Sequence, residues 1–382
     1  MRFPEIKGEW EKCKLEECVV FLDGKRKPIK SSERVSEQKL YPYYGASGII
    51  DYIDDYLFDG KFILLSEDGA NILDRNYRVA FIAEGKIWVN NHAHVLQSND
   101  NIDINFIAEK LESLDYSIYN TGTTMPKLNQ EVCRNIPLWL PPTEEQVKIG
   151  TLLSLLNERI TTQSKIIEDL KLLKKTMSQN IFSLKIRFKD EEGNVFSSWK
   201  LRKLSDVLII QGGYAFKSSL FNQGTNKVIR IGDILPIIKL SNFSGIYSSE
   251  TPNEKYIVRK NDFVMALSGA TFGKVGKIED KGIAYINQRV ATFRTKKCLE
   301  FFYQLVQINN FKNYISSIPT ASAQPNISND DIGNYKSYIP DVIEQTKIAG
   351  FLSTIDKKIE TERAILDAYA KQKQYLLANL LI

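Results

Sequence analysis

Two polar triads, Asn90-Asn91-His92 and Asn287-Gln288-Arg289, are the residues whose types best suit a specific chemistry. Each stands just before a short apolar, β-rich stretch. Local similarity aligns them with each other, as it aligns Gly69-Ala70 with Gly269-Ala270. Amide and guanidinium groups form the paired hydrogen bonds that tell adenine from guanine in a major groove. The alternative use of the same amides is to cap strand turns.

Further candidates for nucleic-acid contact surround them. Tyr44 and Ser47 in the run 43–48, and Tyr214 and Lys217 in the run 212–217, lie in Gly-containing loops where backbone, aromatic and polar groups can approach sugar and base edges. Lys25, Arg26, Lys27 and Lys274 are suited to phosphates, and Thr271 is close to the last of these. Thr121, Thr123, Thr124 and Lys127, and later Ser322 and Gln324, occupy the loops that lead into two long helical stretches.

Signals for catalysis fail. The run beginning at Gly269, GATFGKVG, is one residue short of a phosphate-cradling loop and carries Val where Ser or Thr would ligate magnesium. There is no [DN]PP[FY] amino-methyltransferase motif and no convincing GxGxxG, so the chain is expected neither to bind S-adenosylmethionine nor to methylate by itself. His92 and His94 form an H-x-H without a suitably spaced Cys or acidic partner, and a strand presenting His92 to one face is the preferred reading over a metal site. No cofactor and no metal are expected.

The elements that must position these residues begin with the stretch 143–183. Ile149, Leu153, Leu156, Ile160, Ile167, Leu170, Met177 and Ile181 recur in steps of three, four or seven, with Gln163 and Lys174 at the two remaining places. This predicts one helix about 60 Å long, held off earlier residues by Pro141 and Pro142 and capped by Thr143. A small domain does not bury such a helix by itself. Its partner lies in the same chain, where Ile348, Leu352, Ile355, Ile359, Leu366, Tyr369, Leu376 and Leu380 repeat the seam with Glu362 and Lys373 at the polar places.

Pro141, Glu145, Gln146, Lys148 and Ile149 recur 199 residues later as Pro340, Glu344, Gln345, Lys347 and Ile348, and Trp10 and Leu15 recur 189 residues later as Trp199 and Leu204. The duplication therefore covers whole domains. Short β-rich segments at 62–65, 79–83 and 87–89, a helix starting at Asn105, strands near 263–267, 284–286 and 290–294, and a helix over 299–314 give an α+β reading with mixed sheets. The expected boundaries are a first globular domain over 1–142, a first long helix over 143–184, a second domain over 185–342 and a second long helix over 343–382. Residues 183–198 form a charged linker.

Because the second domain starts where the first helix ends, an antiparallel pair lets the chain turn round in place, with a pseudo-two-fold relation between the halves. Two similar but diverged domains on a spacer suit a duplex polymer read at two different half-sites. For helix register, Lys174 opposite Glu362 and Gln163 opposite Lys373 is expected over Lys174 against Ile355 and Gln163 against Leu366. Glu145 and Glu344 are expected to be exposed and to contribute to subunit docking.

Composition agrees with a globular chain: 382 residues, 43% hydrophobic and 25% charged. The formal charge of +5 conceals an imbalance, −5 over 1–142 against +8 over 184–342, so the second half should contribute more of the attraction to an acidic polymer. Four Cys without CxxC spacing, no leader-like opening and no run near 18 apolar residues favour a cytoplasmic protein outside the membrane.

The Trp–x4–Leu opening of each half, the loop before each long helix, the P-x3-EQ-x-KI helix start and the duplicated plan resemble the specificity subunit of type I restriction–modification systems. The resemblance spans essentially the whole chain. It implies two target-recognition domains joined by an antiparallel coiled coil of two long helices, and a non-catalytic role in directing other subunits to a bipartite double-stranded DNA target. It also implies two DNA adenine methyltransferase subunits as partners, with restriction and translocating subunits in the full complex. The competing readings are a coiled-coil adaptor without base recognition and a methyltransferase or nuclease. Sequence-insensitive DNA binding would favour the first, and binding of S-adenosylmethionine the second.

Overall fold

Seam residues at helical spacing form two helices in the computed structural model, which describes residue 6 and residues 8–34, 38–318 and 326–381. The first, α5, is Thr143–Phe182 and the second, α9, is Val342–Leu380. The chain divides into two compact units, one up to Lys165 together with the residues from Arg363 onward, the other Ile166–Glu362. Each unit is therefore an α+β domain with a segment of both long helices.

In unit 1 the strands are β1 (Glu11–Lys14), β2 (Val19–Phe21), β3 (Tyr41–Gly45), β4 (Gly48–Ile53), β5 (Phe58–Ser66), β6 (Ala80–Val89), β7 (Ala93–Ser98) and β8 (Pro137–Leu140). Short helices α1 (Leu15–Cys18), α2 (Asn71–Asp74), α3 (Ile104–Ser113) and α4 (Gln130–Arg134) lie between them. The main sheet has the order β2-β7-β5-β6-β3-β4, antiparallel except for the parallel β3–β6 pair. The last five residues of β5 are all buried, because its apolar run is covered on both faces. The core joins Ile63 and Leu65 of the sheet, Phe106, Ile107 and Leu111 of α3, Ile149 and Leu153 of α5, and Leu380 of α9. The end of α9 thus packs beside the start of α5, which makes the segments antiparallel.

Unit 2 continues with β9 (Lys200–Lys203), β10 (Ile209–Gly212), β11 (Phe221–Ile229), β12 (Ile237–Ile238), β13 (Ile246–Ser248), β14 (Ile257–Arg259), β15 (Phe263–Ala266), β16 (Val275–Ile278), β17 (Ile283–Ile286), β18 (Val290–Arg294) and β19 (Lys336–Ile339). Its helices are α6 (Leu299–Leu305), α7 (Asn309–Ser317) and α8 (Asn329–Gly333), so the single helix expected over 299–314 is broken at 306–308. Two sheets, β10-β18-β15-β16-β12 and β13-β11-β17-β14, carry the domain. Ile181 at the end of α5 shares a core with Ile348 and Leu352 at the start of α9, again antiparallel.

The duplication is built twice from the same parts. Glu11 pairs with Leu140 and Lys200 with Ile339, so each unit's opening strand is tied to the strand that enters its long helix. Trp10 meets Phe106 edge-on at 6.1 Å, and Trp199 meets Phe301 at 6.3 Å. The buried amide of Gln146 donates to Pro141 O (2.9 Å) and accepts from Asp103 N (3.1 Å); that of Gln345 donates to Pro340 O (2.9 Å) and accepts from Cys298 N (3.4 Å). The repeated Gln thus fastens the domain helix to the long helix.

Three expectations need correction. Glu145 and Glu344 are both fully buried. Glu344 accepts from Arg187 Nε (2.9 Å) and Nη2 (3.0 Å) and from Trp199 Nε1 (2.8 Å), so the repeated Glu anchors the interior rather than offering a surface charge. Thr143 is the first helical residue and its hydroxyl donates to Asn101 O (3.1 Å), while Pro142 O accepts the first helix amides. The register differs too: Lys174 Nζ lies 2.7 Å from Asp356 Oδ1, whereas Glu362 receives Lys358 of its own helix. Asp356 lies one residue beyond the Ile355 of the disfavoured register. There the Lys174 ammonium reaches a carboxylate that also accepts from Gln304 Nε2 at 2.9 Å.

The seam lysine of unit 1 is satisfied differently. Lys373 Nζ lies 3.2 Å from Glu109 Oε2 on α3, and Asn157 of α5 donates to Oε1 of the same carboxylate at 2.8 Å. Asn157 and Asp356 are repeat counterparts, as are Glu109 and Gln304. The carboxylate and the amide have exchanged places, and each half-buried ammonium keeps one carboxylate.

Candidate nucleic-acid interface

The polar triads sit on a backbone frame that recurs in both units. In unit 1 the residue after β5, Glu67, donates its N–H to His92 O (2.9 Å) and accepts at its carbonyl from Leu128 N (2.7 Å). In unit 2 the residue after β15, Leu267, donates to Arg289 O (2.9 Å) and accepts from Ile327 N (3.0 Å). Bridges between Asp68 and Lys127 and between Ser268 and Asn326 extend each junction. On the other side Asn90 N donates to Tyr44 O (3.1 Å) and Asn287 N to Ile229 O (3.0 Å). One end of each sheet thus gathers a strand end, the triad and the loop that leads to the long helix, three segments far apart in sequence.

Asn91 and His92 are exposed, and His92 Nδ1 is 2.8 Å from Asp68 Oδ1. Asn90 is buried and its Oδ1 accepts from His92 N at 2.8 Å, so it caps the turn instead of reaching outward. Lys25 and Lys27 are exposed. Arg26 is not available to a phosphate, because its guanidinium donates to Glu67 Oε2 (2.6 Å), Ala93 O (2.8 Å) and Asp23 O (3.2 Å). Tyr44 is half-buried beside Phe81, and burial pushes its hydroxyl pKa up. Ser47 is exposed in the β3–β4 turn, which Ser66 Oγ holds through Ala46 O at 2.6 Å.

The loop of Thr121, Thr123 and Lys127 closes on itself. Thr121 N and Oγ1 donate to Lys127 O (2.8 and 3.1 Å), and Asn120 Oδ1 accepts from Gly122 N and Lys127 N. All three candidates are exposed, and Lys127 Nζ is 3.6 Å from Glu67 Oε1.

In unit 2 Gln288 and Arg289 are exposed, and Arg289 Nη1 donates to Asn326 Oδ1 at 2.8 Å. Asn287 is half-buried, its carbonyl closing the turn to Val290 N at 2.8 Å. Tyr214 N donates to Ile286 O (2.9 Å), while its hydroxyl donates to Glu250 Oε1 (3.3 Å), whose charge raises the Tyr214 pKa. Just before it, Gly213 passes so close to the triad that a Cβ would stand 2.1 Å from Asn287 O. Lys217 is exposed and its N–H donates to Glu250 Oε2. Lys274 is exposed, and Thr271 is half-buried with its Oγ1 unpartnered among the described residues. Ser322 and Gln324 lie outside the described residues.

The run at Gly269 forms two tight turns into β16, with Phe272 N on Gly269 O and Lys274 N on Thr271 O. A strand follows instead of the helix whose N-terminus a phosphate cradle needs. The H-x-H pair is split: His92 meets Asp68, whereas His94 is buried with Nδ1 2.6 Å from Asp23 Oδ2 and Nε2 2.8 Å from Leu128 O. Among the described residues no three His, Cys, Asp or Glu side chains are grouped to hold a metal.

Sequence reasoning missed the Asp23–His94 hub. Asp23 also accepts from Val95 N and Gln130 Nε2, both at 2.9 Å, and so joins the Lys25–Lys27 turn to β7, α4 and the end of the 121–127 loop. Burial alone would depress His94, but its hydrogen bond with the Asp23 carboxylate and that carboxylate's charge outweigh it and lift its pKa to about 10. No sequence motif marks this pairing, since 71 residues separate its members.

One repeated frame thus presents different polar side chains in the two units. The family profile described as "Type I restriction modification DNA specificity domain" matches residues 7–172 and again 197–368, and the chain belongs to this family, the specificity subunits of type I restriction–modification systems. A putative type I restriction enzyme specificity subunit of Haemophilus influenzae is 28% identical over 384 residues, covering 96% of this chain and 93% of that protein. The MjaVIII specificity subunit of Methanocaldococcus jannaschii is 27% identical over 408 residues, covering 100% and 93%. The crystal structure of the S subunit of the type I system of M. genitalium shares the fold, with a TM-score of 0.71 at 16% identity over 100% of this chain and 99% of that one. The protein is a non-catalytic DNA sequence-specificity subunit. No helix among the described residues is long and apolar enough to cross a membrane.

Proposed function

We propose that the protein reads a bipartite double-stranded DNA target, the first half-site through residues 1–142 and the second through residues 185–342. The residues 143–184 and 343–382 serve as spacer helices. One observation supports this reading above all: the same frame carries exposed Asn91 and His92 in unit 1 and Gln288 and Arg289 in unit 2. A shared frame sets the docking geometry, and different side chains on it read different bases. Lys25, Lys27 and Lys127 on one unit, and Lys217 and Lys274 on the other, supply phosphate contacts. Tyr44, Ser47, Thr121, Thr123, Tyr214 and Thr271 line the two surfaces. In the cytoplasm the protein brings two DNA adenine methyltransferase subunits, and in the full complex restriction and translocase subunits, to this target.

The test is to assemble variants with the methyltransferase subunits and sequence methylated sites from a random-site library. Asn91→Ala or His92→Ala is expected to relax only the first half-site, at about 1–3 kcal/mol per base contact, and Gln288→Ala or Arg289→Ala only the second. Equal damage to both half-sites by either change would refute one domain, one half-site.

A further inference from the structure

Met125 stands at the tip of the loop between Thr121 and Lys127 and is 60% exposed, although a thioether in water contributes nothing to folding. The loop that displays it is fixed. Asn120 Oδ1 and Lys127 O close its neck, and a Cβ on Gly122 would fall 1.8 Å from Met125 O, so the tip folds this tightly only around glycine. Its base is fastened to the rest of the surface by Gly69 N on Pro126 O (3.0 Å) and by His94 Nε2 on Leu128 O (2.8 Å). The neighbours at the tip, Thr123 and Thr124, are exposed hydroxyls, and Lys127 brings an ammonium. A rigid loop that sets one apolar group among phosphate-seeking ones is preorganised for a nucleic acid, whose apolar features are thymine methyl groups and base faces.

We infer that Met125 makes an apolar base contact in the first half-site. The contact adds discrimination that the amides and imidazole of the neighbouring triad do not supply, since a methionine side chain adapts to apolar surface and rejects a polar edge. This rests on the reading of unit 1 as the reader of one half-site. Both sources of apolar surface, a thymine methyl and the face of a base at an opened step, present the same chemistry to the thioether.

The experiment uses the full chain assembled with its methyltransferase subunits and duplexes carrying the mapped target. Met125→Gln is expected to weaken cognate binding about 5- to 150-fold, to relax one position of the first half-site and to leave non-cognate binding and the second half-site unchanged. Met125→Leu is expected to restore the preference, and Met125→Thr serves as a second polar variant if the glutamine perturbs folding. Uracil in place of a first-half-site thymine reproduces the loss if the methyl group is the contact. A 2-aminopurine signal that rises with the wild type but not with Met125→Gln identifies an opened step instead. Wild-type affinity and preference in both polar variants would overturn the inference, as would an equal loss on cognate and non-cognate DNA. If Asn91→Ala also leaves the first half-site untouched, the assignment of that half-site to unit 1 fails; if Asn91→Ala relaxes it and Met125→Gln does not, only the role of Met125 falls.

Discussion

Replacing His94 tests the interior on which the proposed first recognition surface rests. The ring is 1% exposed and lies between a carboxylate and a carbonyl oxygen, both acceptors, so both of its nitrogens must donate and it is an imidazolium. Its pKa of about 10 stands above an unfolded value of about 6.5. The folded chain keeps a proton that the unfolded chain releases. The stabilisation is therefore complete below pH 6.5 and declines by about 1.4 kcal/mol per pH unit until the folded pKa is reached. Between pH 6.5 and 8.5 the loss should be about 2.3 kcal/mol, since the slope reaches its full value only above the unfolded pKa. The window ends there because burial pushes the Cys13 and Cys18 thiols up, and their release from the unfolded chain adds to the loss at higher pH. Asp23 titrates in the opposite sense: burial would raise it, but His94 and Arg26 hold it low, so its contribution is present above about pH 4 and lost on acidification. His94→Gln leaves one acceptor short and should cost about 3–5 kcal/mol at pH 6, while flattening the slope up to pH 8.5. Denaturant unfolding across this range, with hydrogen exchange at Val95 N on Asp23, measures both quantities. A flat wild-type profile, or an unchanged slope in the variant, would show that the imidazole is neutral and that one of its two hydrogen bonds is not made.

Other consequences follow from particular contacts. Glu344→Ala strands the partly buried Arg187 and the indole N–H of Trp199 and should cost about 3–5 kcal/mol of unit 2 stability, read by chemical denaturation. A double-mutant cycle on Lys174 and Asp356 should give a coupling of about 0.5–3 kcal/mol, whereas Lys174 with Glu362 should be additive; the reverse result would restore the register first expected. Lys274→Ala should lower the salt slope of DNA binding by about one without changing sequence preference, as titration against ionic strength would measure. Arg26→Ala should instead lower the melting temperature of unit 1 and leave that slope nearly unchanged, since its guanidinium is held by Glu67, Ala93 and Asp23.

The sequence by itself determined the features that depend on local periodicity and on repetition. A seam recurring every three or four residues specifies a helix wherever it occurs, and the recurrence of Trp10 at Trp199 and of Gln146 at Gln345 required both halves to be built alike. The tertiary structure decided where charged and polar side chains end. Glu145 and Glu344 follow prolines at the start of amphipathic helices and read as surface residues, but the opening tryptophan strand and the linker arginine fold over Glu344 and bury it. Arg26 and Asn90 have the residue types of DNA contacts, yet the nearest unmet acceptors and donors belong to their own domain. The register turned on Asp356, a residue outside the apolar seam, whose carboxylate draws Lys174 across because an ammonium finds its partner in three dimensions. Periodicity is set by neighbours three and four residues away. The partner of an ionised group is set by segments 71 and 182 residues away in these two pairs, and no local pattern records them.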